Sequence, residues 1–183
     1  MNSFNLILST SRDFEKVAET EIWFDLLMLG DETPLIIHSA IPGLLLIQTK
    51  INAIEVISQF KSIAARDPSF FQYIIKLVPI DRVVETDVNL IDKIVKELIQ
   101  EKSSLTTTGN FAIQIRKRAT ELESKDIIEV IAKGIENQVN LKHPDWIIEL
   151  EIIGNICGIS VIQPTDIVNL QTEQNIASTK IER

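Results

Sequence analysis

Two rhythms of apolar and polar residues run through the first eighty positions. Phe4-Asn5-Leu6-Ile7-Leu8-Ser9-Thr10 reads as a short strand. Thr10 or Ser11 then caps a segment whose apolar residues, Phe14, Val17, Ala18, Ile22, Leu26 and Leu29, recur at helical spacing. Gly30-Asp31 and the nearby Pro34 stop that helix. Two apolar runs follow, Leu35 to His38 and Leu44 to Thr49, and Pro42-Gly43 between them predicts a hairpin. Asn52 caps a second helix through Ile54, Val56, Ile57, Phe60, Ile63 and Ala64, which ends at Asp67-Pro68 because the proline ring disfavours a helical residue before it. Phe71 to Val78 supplies a fourth strand. Strand, helix, strand, strand, helix, strand is the order of the ferredoxin-like split βαβ unit.

The pattern changes at Pro79-Ile80, which sets a boundary between two units. Asp87 begins a helix with Val88, Leu90, Ile91, Ile94, Val95, Leu98 and Ile99 on one stripe. Ser103 to Asn110 reads as a polar, threonine-rich loop, and Phe111 to Ile115 as an alternating strand that runs directly into basic residues. Ser124 starts a further helix through Ile127, Ile131 and Ile135. Trp146 to Ile152 and Cys157 to Ile162 form a second hairpin around Gly154-Asn155. The expected organisation is α+β: a ferredoxin-like domain over residues 1–80, a second domain over 81–170, and a polar, frayed tail over 171–183.

Composition narrows the function classes. The 183 residues are 45% apolar and 24% charged, enough to bury a core and too short for a large multidomain enzyme. A formal charge of −8 argues against whole-molecule attraction to polyanions, so any such site is local. The single Cys157 has no partner for a disulfide, and the first residues lack a signal-peptide pattern; both point to the cytoplasm. No apolar run approaches the ~20 residues that cross a bilayer, so no membrane association is expected.

Catalytic signatures are sparse. There is no GxGxxG or GxxxxGK[ST] loop to cradle phosphates, and no cofactor is implied. His38 and His143 are the two histidines and stand in no metal-ligand spacing, so no metal site is expected. Gly158-Ile159-Ser160-Val161 lacks the closing glycine of a nucleophile elbow. Simple alternation puts Glu149 and Glu151 on a solvated outer face, with Ile148, Leu150 and Ile152 inward. Cys157 and Trp146 read as core residues, and His143, before Pro144, as a surface or capping residue in a turn. No residue is assigned a catalytic role.

One feature stands apart, the basic run Arg116-Lys117-Arg118 at the end of the alternating strand. Arginine forks match phosphate oxygens bidentately and lysine adds a point charge, so an edge bearing these three suits a sugar–phosphate backbone. Lys125, Lys133 and Lys142 extend the patch if they face the same way, and Arg82 lies near the domain junction. The other reading is an ordinary solvated face balanced by Glu121, Glu123, Asp126 and Glu129.

The second half, with Phe111-Ala112-Ile113-Gln114-Ile115-Arg116-Lys117-Arg118, a Ser124-led helix, Asn140-Leu141-Lys142-His143-Pro144-Asp145 and two closing strands, resembles a THUMP domain. Asn140 stands where that family usually has aspartate. The first half, in Ser9-Thr10-Ser11-Arg12, Ile41-Pro42-Gly43-Leu44-Leu45-Leu46 and Val78-Pro79-Ile80, resembles the ferredoxin-like domain that precedes THUMP in archaeal and eukaryotic adaptors for tRNA cytidine acetylation. The resemblance implies binding of the tRNA acceptor end, with a separate tRNA cytidine acetyltransferase forming N4-acetylcytidine. It casts Arg116, Lys117, Arg118, Lys133, Lys142 and Arg82 as RNA contacts and the chain itself as noncatalytic. The alternatives are a THUMP subunit assisting thiolation or methylation, a stand-alone RNA-modifying enzyme working through surface carboxylates, and an interaction scaffold with no RNA role.

Overall fold

A computed structural model describes residues 3–170. The elements in chain order are β1 (Leu6–Ser9), α1 (Glu15–Met28), β2 (Leu35–His38), β3 (Leu44–Gln48), α2 (Ala53–Arg66), β4 (Lys76–Pro79), β5 (Arg82–Glu85), α3 (Val88–Glu101), α4 (Ser103–Thr106), β6 (Phe111–Arg118), α5 (Ser124–Ala132), β7 (Trp146–Ile153), β8 (Ile156–Ile162) and β9 (Val168–Asn169). The fold is α+β, in two compact units. Among the described residues, one comprises residues 3–79 together with 165–170; the other is Ile80–Pro164.

The first unit is an antiparallel sheet of order β2-β3-β1-β4-β9, so β1 sits between β3 and β4 as the split βαβ arrangement requires. Leu6, Leu8, Leu45, Ile47 and Leu77 from the sheet pack with Ala18, Ile22 and Leu26 of α1 and Val56, Ile57 and Phe60 of α2. Asn52 caps α2 as expected, its side-chain oxygen accepting the N–H groups of Ile54 and Glu55. At α1 the expected cap is corrected: the cap position is Phe14, whose side chain accepts no hydrogen bond from the helix. Glu15 instead turns its Oε1 to the N–H of Gly43, at 2.6 Å. Gly43 has a φ of +76° in the β2–β3 turn, where a Cβ would lie 2.6 Å from the carbonyl oxygen of Thr10.

Three further differences have local causes. The fourth strand starts at Lys76, because Gln72, Tyr73 and Ile74 give their N–H groups to the carboxylate of Glu21 (2.7–3.0 Å) and leave the ladder. Residues 165–170, expected with the second domain, return to the first: β9 pairs with β4, Val168 opposite Leu77, and Val168 and Leu170 enter its core. The loop after α3 opens with the short helix α4. The 171–183 segment lies outside the described residues.

The second unit is a sheet of order β5-β8-β7-β6 in which β6 runs parallel to β7 and the other neighbours are antiparallel. Strand β5 had no signal of its own; four residues of Arg-Val-Val-Glu are too short for a visible period, and pairing with β8 makes the strand. Asp87 caps α3 by accepting the N–H of Leu90. The inward residues Phe111, Trp146, Ile148, Leu150, Cys157 and Ile159 pack beneath Ile91, Val95 and Leu98 of α3 and Ile127 and Ile131 of α5.

Candidate nucleic-acid interface

Strand β6 is an edge strand, and alternation sends its residues to two faces. Phe111, Ile113 and Ile115 join the core beneath the helices, so Arg116 and Arg118 emerge on the opposite face of the sheet, with Lys117 between them on the helix side. The parallel register sets Arg116 opposite Glu151 and Gln114 opposite Glu149. The sequence expectation for those carboxylates is overturned: both are buried, Glu149 at 0% and Glu151 at 1% exposure. An alternating strand is solvated on one face only if nothing covers that face, and every residue of β7 is buried.

The expectation of three free cations on the edge is corrected as well. Arg118 Nη1 lies 2.5 Å from Glu151 Oε2. Arg116 Nε lies 3.4 Å from Glu149 Oε1 and 3.5 Å from Glu151 Oε1. Two carboxylates withdrawn from water need compensating charge, and the two arginines provide it. Lys117 Nζ donates to the carbonyl of Leu122 at 2.5 Å. On that face two arginines balance two carboxylates, and Lys117 carries its charge on the helix side of the sheet. Arg116 remains 49% exposed, and its terminal nitrogens make no hydrogen bond among the described residues, so its outer edge faces solvent while Nε is anchored.

The remaining predicted contacts lie elsewhere. Lys133 pairs with Glu129 one turn earlier on α5, at 3.0 Å. Arg82 forks onto Glu101 through Nη2, 3.0 and 3.1 Å from the two oxygens. Lys142 is exposed in the loop before β7, and that loop is tied to the start of β6: Val139 bridges Phe111, and the N–H of Asn140 reaches the Phe111 carbonyl at 2.8 Å. Arg118 is the last residue of β6, roughly 23 Å along an extended strand from Phe111. The structure therefore places Lys142 and the arginines at opposite ends of one strand rather than in one patch.

The loop's geometry is built from residues that sequence reasoning did not single out as structural. Asn137 Nδ2 donates to the carbonyls of Thr106 and Gly109, at 3.1 and 3.0 Å. Asp145 accepts the N–H of Asn110 at 2.8 Å. Asn140 Oδ1 accepts the N–H groups of both Lys142 and His143, each at 3.1 Å, an Asx turn that pushes Leu141, Lys142 and His143 outward. Asn at a turn ahead of a His-Pro pair was the available signal. Cys157, by contrast, is fully buried, and desolvation, reinforced by the charge of Glu151, pushes its thiol up to about 12. Among the described residues no group of three or more histidine, cysteine or acidic side chains is arranged to hold a metal, and no helix is long and apolar enough to cross a membrane.

The stretch from the end of β5 to the end of β8, residues 85–162, matches the model of the THUMP domain. The second unit carries a THUMP domain. Several solved structures share the fold of the chain at low identity. PH1313 of Pyrococcus horikoshii superposes with a TM-score of 0.61 at 16% identity, over 88% of this chain and 55% of that one. TrmN of Thermus thermophilus gives 0.58 at 13%, over 85% and 44%. A 4-thiouridine synthetase solved in complex with RNA and ATP gives 0.52 at 14%, over 88% and 42%. The chain spans about half the length of the solved structures it matches. No curated protein sequence is significantly similar to it. Within this frame the THUMP domain contributes both the Arg116–Arg118 end of β6 and the Leu141–His143 turn.

Proposed function

We propose that the protein is a noncatalytic, cytoplasmic tRNA-binding adaptor that holds the acceptor end of tRNA and presents it to a separate tRNA cytidine acetyltransferase. The observation that carries the RNA part is the THUMP domain over residues 85–162, with an edge strand that ends in anchored arginines. A guanidinium fixed through Nε keeps its terminal nitrogens for phosphate oxygens and loses less side-chain entropy on binding than a free arginine would. The Leu141–His143 turn offers a second contact at the far end of β6. A-form RNA is read largely through phosphates and shape, so two separated points suit it better than one dense patch. The molecule's net negative charge keeps nonspecific affinity low.

The noncatalytic reading is supported by the burial and pairing of Glu149 and Glu151, which removes that pair as exposed acid/base groups. A second reading, a THUMP subunit assisting thiolation or methylation, is favoured by the likeness to a 4-thiouridine synthetase structure and by that to a possible methylase of Clostridium difficile.

The test is a tRNA binding curve at several salt concentrations. Arg116→Gln with Lys142→Ala should weaken binding and lower the salt slope by about two, one counterion for each phosphate no longer neutralised, with circular dichroism checking that the variant is folded. Unchanged affinity and slope refute the assignment. Incubating tRNA and acetyl donor with the acetyltransferase, with and without this protein, tests the adaptor role. A base modified by this protein alone would establish an enzyme instead.

A further inference from the structure

The first unit leaves an apolar surface uncovered. Of the ten large hydrophobic residues exposed among the described residues, six are Phe14, Val17, Trp23, Phe24 and Met28, on or beside α1, and Leu35, at the start of β2. The helix buries Ala18, Ile22 and Leu26 against the sheet. Val17, Phe24 and Met28, seven and eleven residues apart, fall on one stripe of the opposite side. Phe24 is 54% and Met28 70% exposed. Trp23 lies one turn beyond Glu19, whose Oε2 is 2.6 Å from Nε2 of His38 on β2, so the Trp23 flank of the helix, rather than the Val17–Met28 stripe, faces that strand. Among the described residues strand β2 ends the sheet and pairs with β3 alone, leaving its outer backbone groups open. Apolar residues on the outer as well as the inner side of a helix, beside an open strand edge, are the signature of an interface.

Charge selects the occupant. Leaving out the buried Asp25, the chain from Arg12 to Glu32 has six carboxylates against two cations, an excess of four negative charges in this one stretch. RNA and anionic lipid are repelled by such a field, and two copies facing each other across a two-fold axis would oppose carboxylate to carboxylate. We infer that the outer face of α1 and the β2 edge dock another protein, through an amphipathic helix whose apolar ridge is flanked by lysine or arginine. This rests on the first unit alone. Only the identification of that protein as the modifying enzyme depends on the proposed function.

Trp23 provides the readout, since the protein's other tryptophan, Trp146, is fully buried. Two synthetic amphipathic helices with the same leucine ridge, one flanked by lysine and one by glutamate, are titrated against the full chain. The lysine peptide should blue-shift the emission and bind at least about tenfold more tightly than the glutamate peptide, with the difference shrinking as salt rises. Phe24→Asp with Met28→Asp should abolish binding while leaving the circular dichroism unchanged, because both side chains are solvent-exposed. Glu32→Lys, which alters charge and no apolar contact, should weaken the lysine peptide by about two- to fivefold. Equal binding of both peptides, no binding of either, a shift by zwitterionic lipid vesicles, or self-association abolished by the double variant would each overturn the inference. The adaptor reading fails separately, if purified tRNA cytidine acetyltransferase ignores the wild-type chain while the lysine peptide binds it.

Discussion

Arg118 and Glu151 form the tightest ion pair of the THUMP sheet, with Nη1 and Oε2 2.5 Å apart and the carboxylate 1% exposed. The pair joins the last residue of an edge strand to the middle of a fully buried one, in a register that already sets Arg116 opposite Glu151. A run of basic residues that suits a nucleic acid thus also compensates two charges inside the sheet.

Removing one member leaves the other uncompensated. Arg118→Ala should destabilise the protein by ~2–4 kcal/mol, whereas Lys117→Ala, which loses only a bond to the Leu122 carbonyl, should cost below about 1 kcal/mol. Urea denaturation of the two variants measures the difference. Equal, small effects would show that Glu151 finds other compensation.

Asp25 on α1 gives the protein a pH dependence. Its side chain is buried, and desolvation, with added repulsion from Glu21 one turn earlier, raises its carboxyl to about 7. The folded state therefore holds a proton that the unfolded chain releases above about pH 4. The associated stabilisation is complete at low pH and is lost as pH rises from about 4 through about 7. Asp25→Asn should raise stability at pH 8 by about 1–2 kcal/mol, allowing for solvent screening, and flatten that slope. Thermal melts across pH 4 to 8 check it; a slope unchanged in the variant would assign it to other groups.

Gly43→Ala should be costly for a turn residue. The φ of +76° opposes a side chain, and the new Cβ would sit 2.6 Å from a backbone oxygen that cannot swing away. The expected loss is ~2–3 kcal/mol in chemical denaturation. Gly30→Ala, at φ +104° but with nothing within 4 Å, should carry the backbone strain without the collision and lose less.

Cys157 should be inert in the native protein. A thiol held near 12 and fully buried has almost no thiolate at neutral pH. A thiol-reactive chromogenic disulfide should register no cysteine until denaturant is added, and one afterwards. Fast native labelling would mean that β8 opens locally.

The order of strands and helices was written in the chain, because each element long enough to show a period carries its own signal: Asn52 and Asp87 before amphipathic helices, and the two apolar hairpins. The Arg116-Lys117-Arg118 run and the loop at Leu141–His143 were visible in the same way. Partnership was not. Four residues of β5 and two of β9 become strands only because β8 and β4 stand beside them with free hydrogen-bonding groups. Alternation fixed that Glu149 and Glu151 share a face, but burial depends on what covers the face, which no local pattern records. Their pairing with Arg116 and Arg118 follows from the parallel register of two strands 35 residues apart in sequence, as Phe111 opposite Trp146 shows. Local periodicity is a property of neighbours along the chain, whereas solvation and charge balance are set by neighbours in space.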